Sequence, residues 1–186
     1  FRKAILDKLG LDFEVVAPEI NEDRRVKESP IDLVTRLSKE KAMAVAKSKT
    51  GLIIASDQVA TLDTGYKAND SILTKPGSHE NAFLQLKKSS GKTVNFLTGL
   101  VLMNTKNLNT QVHVEHFKVL FKTLSDNQIL KYLSKEDVLN CAGSFKSEGL
   151  GIALFTEMVG NDPNSLIGLP TIQLIDMLAK ENVHVL

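Results

Sequence analysis

Residues 92–103 and 111–122 read as two long strands joined by the polar turn Asn104–Thr110. Helical and strand-like segments alternate on either side of this pair. A long hairpin inside such an alternation points to an α/β chain with a mixed sheet flanked by helices. The 186 residues suit a single domain, and no repeat, low-complexity tract or linker divides them.

The remaining elements follow from periodicity and punctuation. Residues 1–9 form a helical pattern stopped by Gly10, and 13–17 a strand ended by Pro18. The polar stretch 18–29 is a loop. Ser29-Pro30 supplies an N-cap and a proline at the first helical position, predicting a helix to about Lys47. Leu52–Ala55 is a short continuous apolar run, the pattern of a strand buried on both faces, and it ends in Ser56-Asp57-Gln58. Val59–Leu73 reads as a hairpin excursion around Gly65, and Ser78–Lys88 as a helix closed by Gly91. Ser125 and Gln128 make a capping box that opens another helix. Residues 151–155 are strand-like, and Pro170 opens a last helix with Leu174, Ile175 and Leu178 on one face.

Composition excludes several function classes. Lys and Arg number 23 against 22 Asp and Glu, a net charge of +1. No broad electrostatic grip on nucleic acid or an anionic membrane is expected, although a local basic pocket is compatible. No apolar run approaches the roughly 20 residues of a bilayer span. The single cysteine, Cys141, permits no internal disulfide and fits a reducing, cytoplasmic compartment. The chain opens Phe1-Arg2-Lys3 without a methionine, already in helical pattern, so residues are expected to precede Phe1.

Asp57 is expected just past the carboxyl end of the buried strand, where open α/β sheets bind ligands. A carboxylate there is suited to holding a metal or activating water, and equally to capping a turn. Lys41 falls within the apolar stripe Leu33, Val34, Leu37, Ala44 and Val45 of the helix from Pro30. A lysine so placed either snorkels along its stem or has an anionic partner. Lys75, in Lys75-Pro76-Gly77, and Glu22, in the charged run 22–25, are weaker candidates, since exposed turns favour such residues anyway. The small-residue segment Cys141–Gly151 allows backbone to approach an anion, but it is neither a Walker A loop nor a nucleophile elbow. His113 and His116, three apart on a strand, face opposite ways and make no zinc site. Any metal is expected to be Mg²⁺ or Mn²⁺ on carboxylates and phosphate oxygens.

Together these segments resemble the Maf family of nucleotide pyrophosphatases. The carrying motifs are Leu11–Ile20, Glu40-Lys41-Ala42, Ser56-Asp57-Gln58, Lys75-Pro76-Gly77, Ser90-Gly91-Lys92, Phe96-Leu97-Thr98-Gly99 and Gly168-Leu169-Pro170. The resemblance implies a Maf/inosine-triphosphatase-like fold over residues 1–186, with an elongated mixed sheet and two lobes around a nucleotide-binding cleft. It places an N-terminal strand and phosphate loop before residue 1. It implies Asp57 as proton acceptor, Glu22 and Asp57 at a divalent cation, and Arg2, Lys41 and Lys75 around the triphosphate. It also suggests a homodimer. Asn21 departs from the family's usual aspartate, and Tyr66–Ser71 looks like an insertion.

Phe145-Lys146-Ser147-Glu148-Gly149 resembles the branch that hydrolyses 7-methyl-GTP. The family's base-selecting positions would be Phe1, Gln58 and Glu148. An aromatic at position 1 could stack on the cationic 7-methylguanine, and Glu148 could accept from its N1–H and exocyclic amine. The alternatives are a dTTP/UTP or broad noncanonical-nucleotide pyrophosphatase, and a non-catalytic cell-division regulator.

Overall fold

The computed structural model describes residues 1–186. Its frame is a four-stranded sheet in the order β1-β2-β3-β4, formed by β1 (Leu52–Thr61), β2 (Thr93–Asn104), β3 (Thr110–Phe121) and β4 (Phe155–Val159). The helices are α1 (Arg2–Asp7), α2 (Pro30–Ala46), α3 (His79–Ser89), α4 (Asp126–Leu133), α5 (Pro163–Ile167) and α6 (Thr171–Lys180). The long hairpin read from the sequence is β2–β3, and the helices from Pro30, Ser78 and Ser125 start at serine N-caps whose oxygens accept backbone N–H groups.

Every neighbouring strand pair is antiparallel, which corrects the expected mixed sheet. A parallel pair needs a crossover that returns the chain to the same end of the sheet. Here the connection through α3 enters β2 at the end where β1 finishes, so Thr61 lies opposite Asn95. Pairing also changes three local expectations. Residues 13–17 remain irregular, because no strand offers them a ladder. The excursion 59–73 closes through a single bridge, Ala60 to Leu73, while Asp70 gathers N–H groups of Gly65 and Lys67 and the Thr64 hydroxyl. Residues 150–154 form a 3-10 turn, and the strand begins at Phe155.

Alternation along β2 sorts the core into layers. Leu97 and Val101 face α2, where Leu33, Val34, Leu37 and Ala42 meet them together with Val59, Ile53 and Ala55 of β1. On the opposite face, Val94 and Phe96 join the largest cluster with α3, α4 and the Phe117–Phe121 end of β3. Leu100 and Leu102 join Ile5 of α1 and Leu174, Met177 and Leu178 of α6. Between those two cores sits Thr98, whose hydroxyl donates to the Ser165 carbonyl of α5 at 2.9 Å.

Gly99 lies on the α2 face, directly opposite Asp57. A β-carbon there would stand 2.6 Å from both the Val34 carbonyl oxygen and Ser38 Oγ. Only a hydrogen fits, and its absence of bulk is what lets α2 rest on the sheet backbone. Gly99→Ala should therefore lift α2 and cost about 1–3 kcal/mol, as overpacking does. A urea titration followed by circular dichroism should show a lower midpoint at unchanged slope.

Candidate active site

A cleft of about 1120 Å³ runs along β1, an edge strand of the sheet. Residues 53–59 form its floor. Its walls come from Phe1 and Arg2, the segment 13–18, the loop carrying Glu22, Lys41 of α2, the stretch 72–75 and the loop 140–148. All eight site residues expected from the sequence line it: Phe1, Arg2, Glu22, Lys41, Asp57, Gln58, Lys75 and Glu148.

Asp57 lies in the middle of β1 rather than beyond its end. The strand continues through Ser56-Asp57-Gln58 because each polar side chain finds a partner. Ser56 Oγ donates to the Gly168 carbonyl at 2.8 Å, Asp57 Oδ1 accepts from Lys41 Nζ at 2.6 Å, and Gln58 Nε2 donates to α5. Asp57 retains 8% of its accessible surface, so a partner is obligatory for a charge at that depth. The approach of α2 over Gly99 provides it. Ser38 stands above the glycine, and Lys41, three residues on along the same helix face, reaches Asp57.

Lys41 also pairs with Glu22 Oε1 at 2.7 Å. Its ammonium thus joins two carboxylates from distant parts of the chain, and the partner reading of this stripe lysine is correct. Hydrogen bonding from Lys41 holds the Glu22 carboxyl below the usual range against its partial burial, with the Lys41, Lys75 and Arg2 charges adding to the effect. Arg2 faces both carboxylates. Desolvation lowers its proton affinity, and Asp57 and Glu22 raise it again. Arg2 Nε donates to the Gly168 carbonyl at 2.7 Å, the same oxygen that holds Ser56. Gly168 caps α5 at φ 118°, and a β-carbon there would press on the Arg2 guanidinium. Lys75 is exposed at the cleft mouth.

The loop that presents Glu22 is held by residues the sequence suggested were merely solvated. Arg24 donates to the carbonyls of Glu28, Ala68 and Asp70, which ties this loop to the Tyr66–Ser71 insertion. Arg36 of α2 bonds Glu28 through Nε at 2.6 Å, Glu40 through Nη1 at 2.9 Å and the Asp23 carbonyl at 2.9 Å. Asn21 Oδ1 accepts the Asp23 N–H at 2.8 Å, a role that the family's aspartate would fill equally well. In sequence, these residues are a charge run and one helix arginine. Nothing in their spacing signals a clamp.

At the other end of the cleft, Glu148 is exposed on a loop whose base is rigid. Phe145 packs edge-on against Phe96, Phe121 and Phe155 at centroid distances of 5.4, 5.6 and 4.8 Å. The Lys146 N–H donates to the Tyr132 hydroxyl, and the Leu150 N–H to Glu136 Oε2 at 2.7 Å. Phe1 is 64% exposed, a free ring at the cleft rim. Gln58 is different. Its amide nitrogen donates to Thr98 Oγ1 and to the carbonyls of Ser165 and Leu166, so only its carbonyl oxygen is left for a ligand. Cys141 is half-buried and burial pushes its thiol up, away from nucleophilic thiolate. His113 and His116 go to separate partners, Glu115 and Asn95.

No three His, Cys, Asp or Glu side chains converge as a metal-binding cluster. The two carboxylates that meet in the cleft, Glu22 and Asp57, share Lys41. Two carboxylates completed by water and phosphate oxygens fit Mg²⁺ or Mn²⁺ and do not fit structural zinc.

The family model for Maf-like proteins matches residues 1–181. The chain belongs to the Maf-like family. Among its relatives, a protein named 7-methyl-GTP pyrophosphatase from Alcanivorax borkumensis is 50% identical over 185 residues, covering 99% of this chain and 91% of the relative. Proteins of the same name from Idiomarina loihiensis and Pseudoalteromonas atlantica are 49% and 50% identical over 187 and 185 residues. They cover 99% and 100% of this chain, and 91% and 92% of their own length. The Maf-like motifs Glu40-Lys41-Ala42, Ser56-Asp57-Gln58, Phe96–Gly99 and Gly168-Leu169-Pro170 meet in and beside the cleft through the Gly99 and Gly168 contacts.

The clamp behind Glu22 carries a pH signature. Hydrogen bonding from Arg36 brings the Glu28 carboxyl down from 4.5 to about 2. A folded-state value below the unfolded one contributes stability above pH ~4.5, lost as pH falls toward ~2. Glu28→Gln should therefore cost about 1–2 kcal/mol at pH 7, solvent screening included. The difference from wild type should shrink progressively below pH ~4.5 and be mostly lost by pH ~2 in urea titrations at stepped pH.

Proposed function

We propose that this Maf-like protein is a nucleoside triphosphate pyrophosphatase that splits 7-methyl-GTP into 7-methyl-GMP and pyrophosphate. The observation that carries the proposal is the charge layout of the cleft. One end gathers Arg2, Lys41 and Lys75 around Asp57 and Glu22. At the other end the 140–148 wall presents the exposed carboxylate of Glu148. A ligand with an anionic triphosphate and a cationic base complements both ends. The names of the relatives support the same substrate.

In this mechanism Asp57 is the proton acceptor. Lys41 fixes Oδ1, and Oδ2 makes no hydrogen bond to the protein, so it is open to a water. That water attacks the α-phosphorus as Asp57 takes its proton. The bond from the α-phosphorus to the bridging oxygen breaks, and pyrophosphate leaves with the electron pair. Arg2, Lys41 and Lys75 offset the charge that builds on the leaving group. Glu22 and Asp57 would hold a divalent cation, which supplies further charge neutralisation on the phosphates when bound.

Phe1 stacks on the base, Glu148 accepts its N1–H and amine, and the free carbonyl of Gln58 accepts a further donor. The protein acts in the cytoplasm and as a homodimer, the assembly that the family resemblance suggests. Sedimentation should accordingly give twice the mass of one chain.

Asp57→Asn should lower kcat by at least about 100-fold, the scale of a lost general base. It should leave the unfolding midpoint nearly unchanged, because Lys41 keeps Glu22 as a partner. Pyrophosphate release from 7-methyl-GTP, GTP, dTTP, UTP and ITP with Mg²⁺ or Mn²⁺ tests the chemistry and the base together. Turnover by the variant at the wild-type rate would remove Asp57 from the mechanism. Preference for dTTP or UTP would keep the reaction and discard the base assignment. Glu148→Gln should reduce the preference for 7-methyl-GTP over GTP by about tenfold, the loss of charge assistance in one hydrogen-bonding group.

A further inference from the structure

Lys146 lines the cleft, is half-buried and has no role in the reaction outlined above. Unlike Lys41, which is paired twice, its ammonium forms no ion pair or hydrogen bond within the protein. Its stem is half-buried along the cleft wall while the ammonium stays accessible, so the head is free to donate to a ligand. Its backbone is not free to relax. The N–H is bound to the Tyr132 hydroxyl at 3.1 Å, and the carbonyl accepts from Gly149 and Gly151 at 3.3 and 3.0 Å. Gly151 passes so close to that carbonyl that a β-carbon would collide with it. Phe145, the preceding residue, is locked in the aromatic cluster. The ammonium is therefore presented by a fixed loop, two residues from Glu148.

The surroundings separate Lys146 from the phosphate end. Lys146 shares the 140–148 wall of the cleft with Glu148, whereas Lys41 is paired with Glu22 and Asp57. Guanine presents two donors and one acceptor side by side: the exocyclic amine, N1–H and O6. A carboxylate that takes the two donors leaves O6 facing the neighbouring protein group, which must then donate. A methyl group on N7 removes the other acceptor on that side of the base, so O6 is the one acceptor left there.

We propose that Lys146 is a specificity-determining residue that donates to O6 of the guanine base beside Glu148. The Lys–Glu pair separated by one serine would then read the whole Watson–Crick edge, and adenine, with a donor in place of O6, would meet an ammonium. This rests on the base end of the cleft assigned under the proposed function.

The test compares 7-methyl-GTP with 7-methyl-6-thio-GTP, which keeps N1–H and the amine but replaces O6 by sulfur, a weak acceptor. Wild-type full-length protein should prefer the oxo substrate in kcat/KM by about tenfold to a hundredfold, the scale of a charged hydrogen bond. Lys146→Met should bring that ratio close to one, and Lys146→Arg, which keeps a donor, should restore much of it. The ratio is taken within each variant, so partial misfolding does not affect it. An unchanged ratio in Lys146→Met, with Glu148→Gln still weakening the preference for 7-methyl-GTP over GTP, would overturn the role of Lys146 alone. An equal loss on every triphosphate, ratio intact, would make Lys146 a phosphate contact and overturn it also. If neither variant alters base preference, the assignment of the base end falls and takes the Lys146 proposal with it.

Discussion

Everything chemical in this protein depends on how closely α2 approaches the sheet. Gly99 removes the one side chain that would hold the helix away, and Ser38 and the Val34 carbonyl occupy the space. At that distance a lysine three residues past Ser38 reaches a carboxylate across the strand pair. Lys41 then draws in Glu22 from a loop with no strand or helix of its own. An ammonium between two carboxylates satisfies a buried charge and at the same time fixes the orientation of the Asp57 carboxylate.

The second constraint is the antiparallel sheet. Because opposed residues share a face, Asp57 with Gly99 turns toward α2, while Ser56 and Gln58 with Leu100 and Thr98 turn toward α5. The tripeptide Ser56-Asp57-Gln58 is therefore divided between two layers. Its middle residue pairs with Lys41, and the outer two anchor α5 and the Gly168 carbonyl. That carbonyl in turn holds Arg2. One edge strand thus links the acid, the helix that partners it and the arginine at the opposite wall.

The cleft is also built from parts of unequal rigidity. The Glu148 loop stands on an aromatic cluster and on Tyr132 and Glu136, and the Glu22 loop on two arginines spread across backbone carbonyls. Phe1 and Lys75 are exposed at the mouth. Polar groups held at the two ends and exposed groups at the rim thus line one concave site.

Local chemistry was legible in the sequence wherever a short-range rule decides it. Serine N-caps before Pro30, His79 and Asp126 start helices because their oxygens meet N–H groups two or three residues on. Lys41 could be singled out because a charge inside an apolar stripe needs a partner, and Asp57 because it follows an apolar run. The position given to Asp57, beyond the strand, was wrong, since pairing with β2 carried the strand through polar residues. The Asp162-Pro163 start of α5 follows the same capping rule, and it marks a helix that holds Gln58 and Thr98. The motifs of residues 11–20, 40–42, 56–58, 75–77 and 96–99 identified the family, because their order and identity are sequence properties. Only the tertiary structure decided the antiparallel pairing, the partner of Lys41, the clamp by Arg24 and Arg36, and the commitment of the Gln58 amide. Each of these joins residues far apart in the chain, and the distance between such residues is set by packing, to which sequence spacing gives no measure.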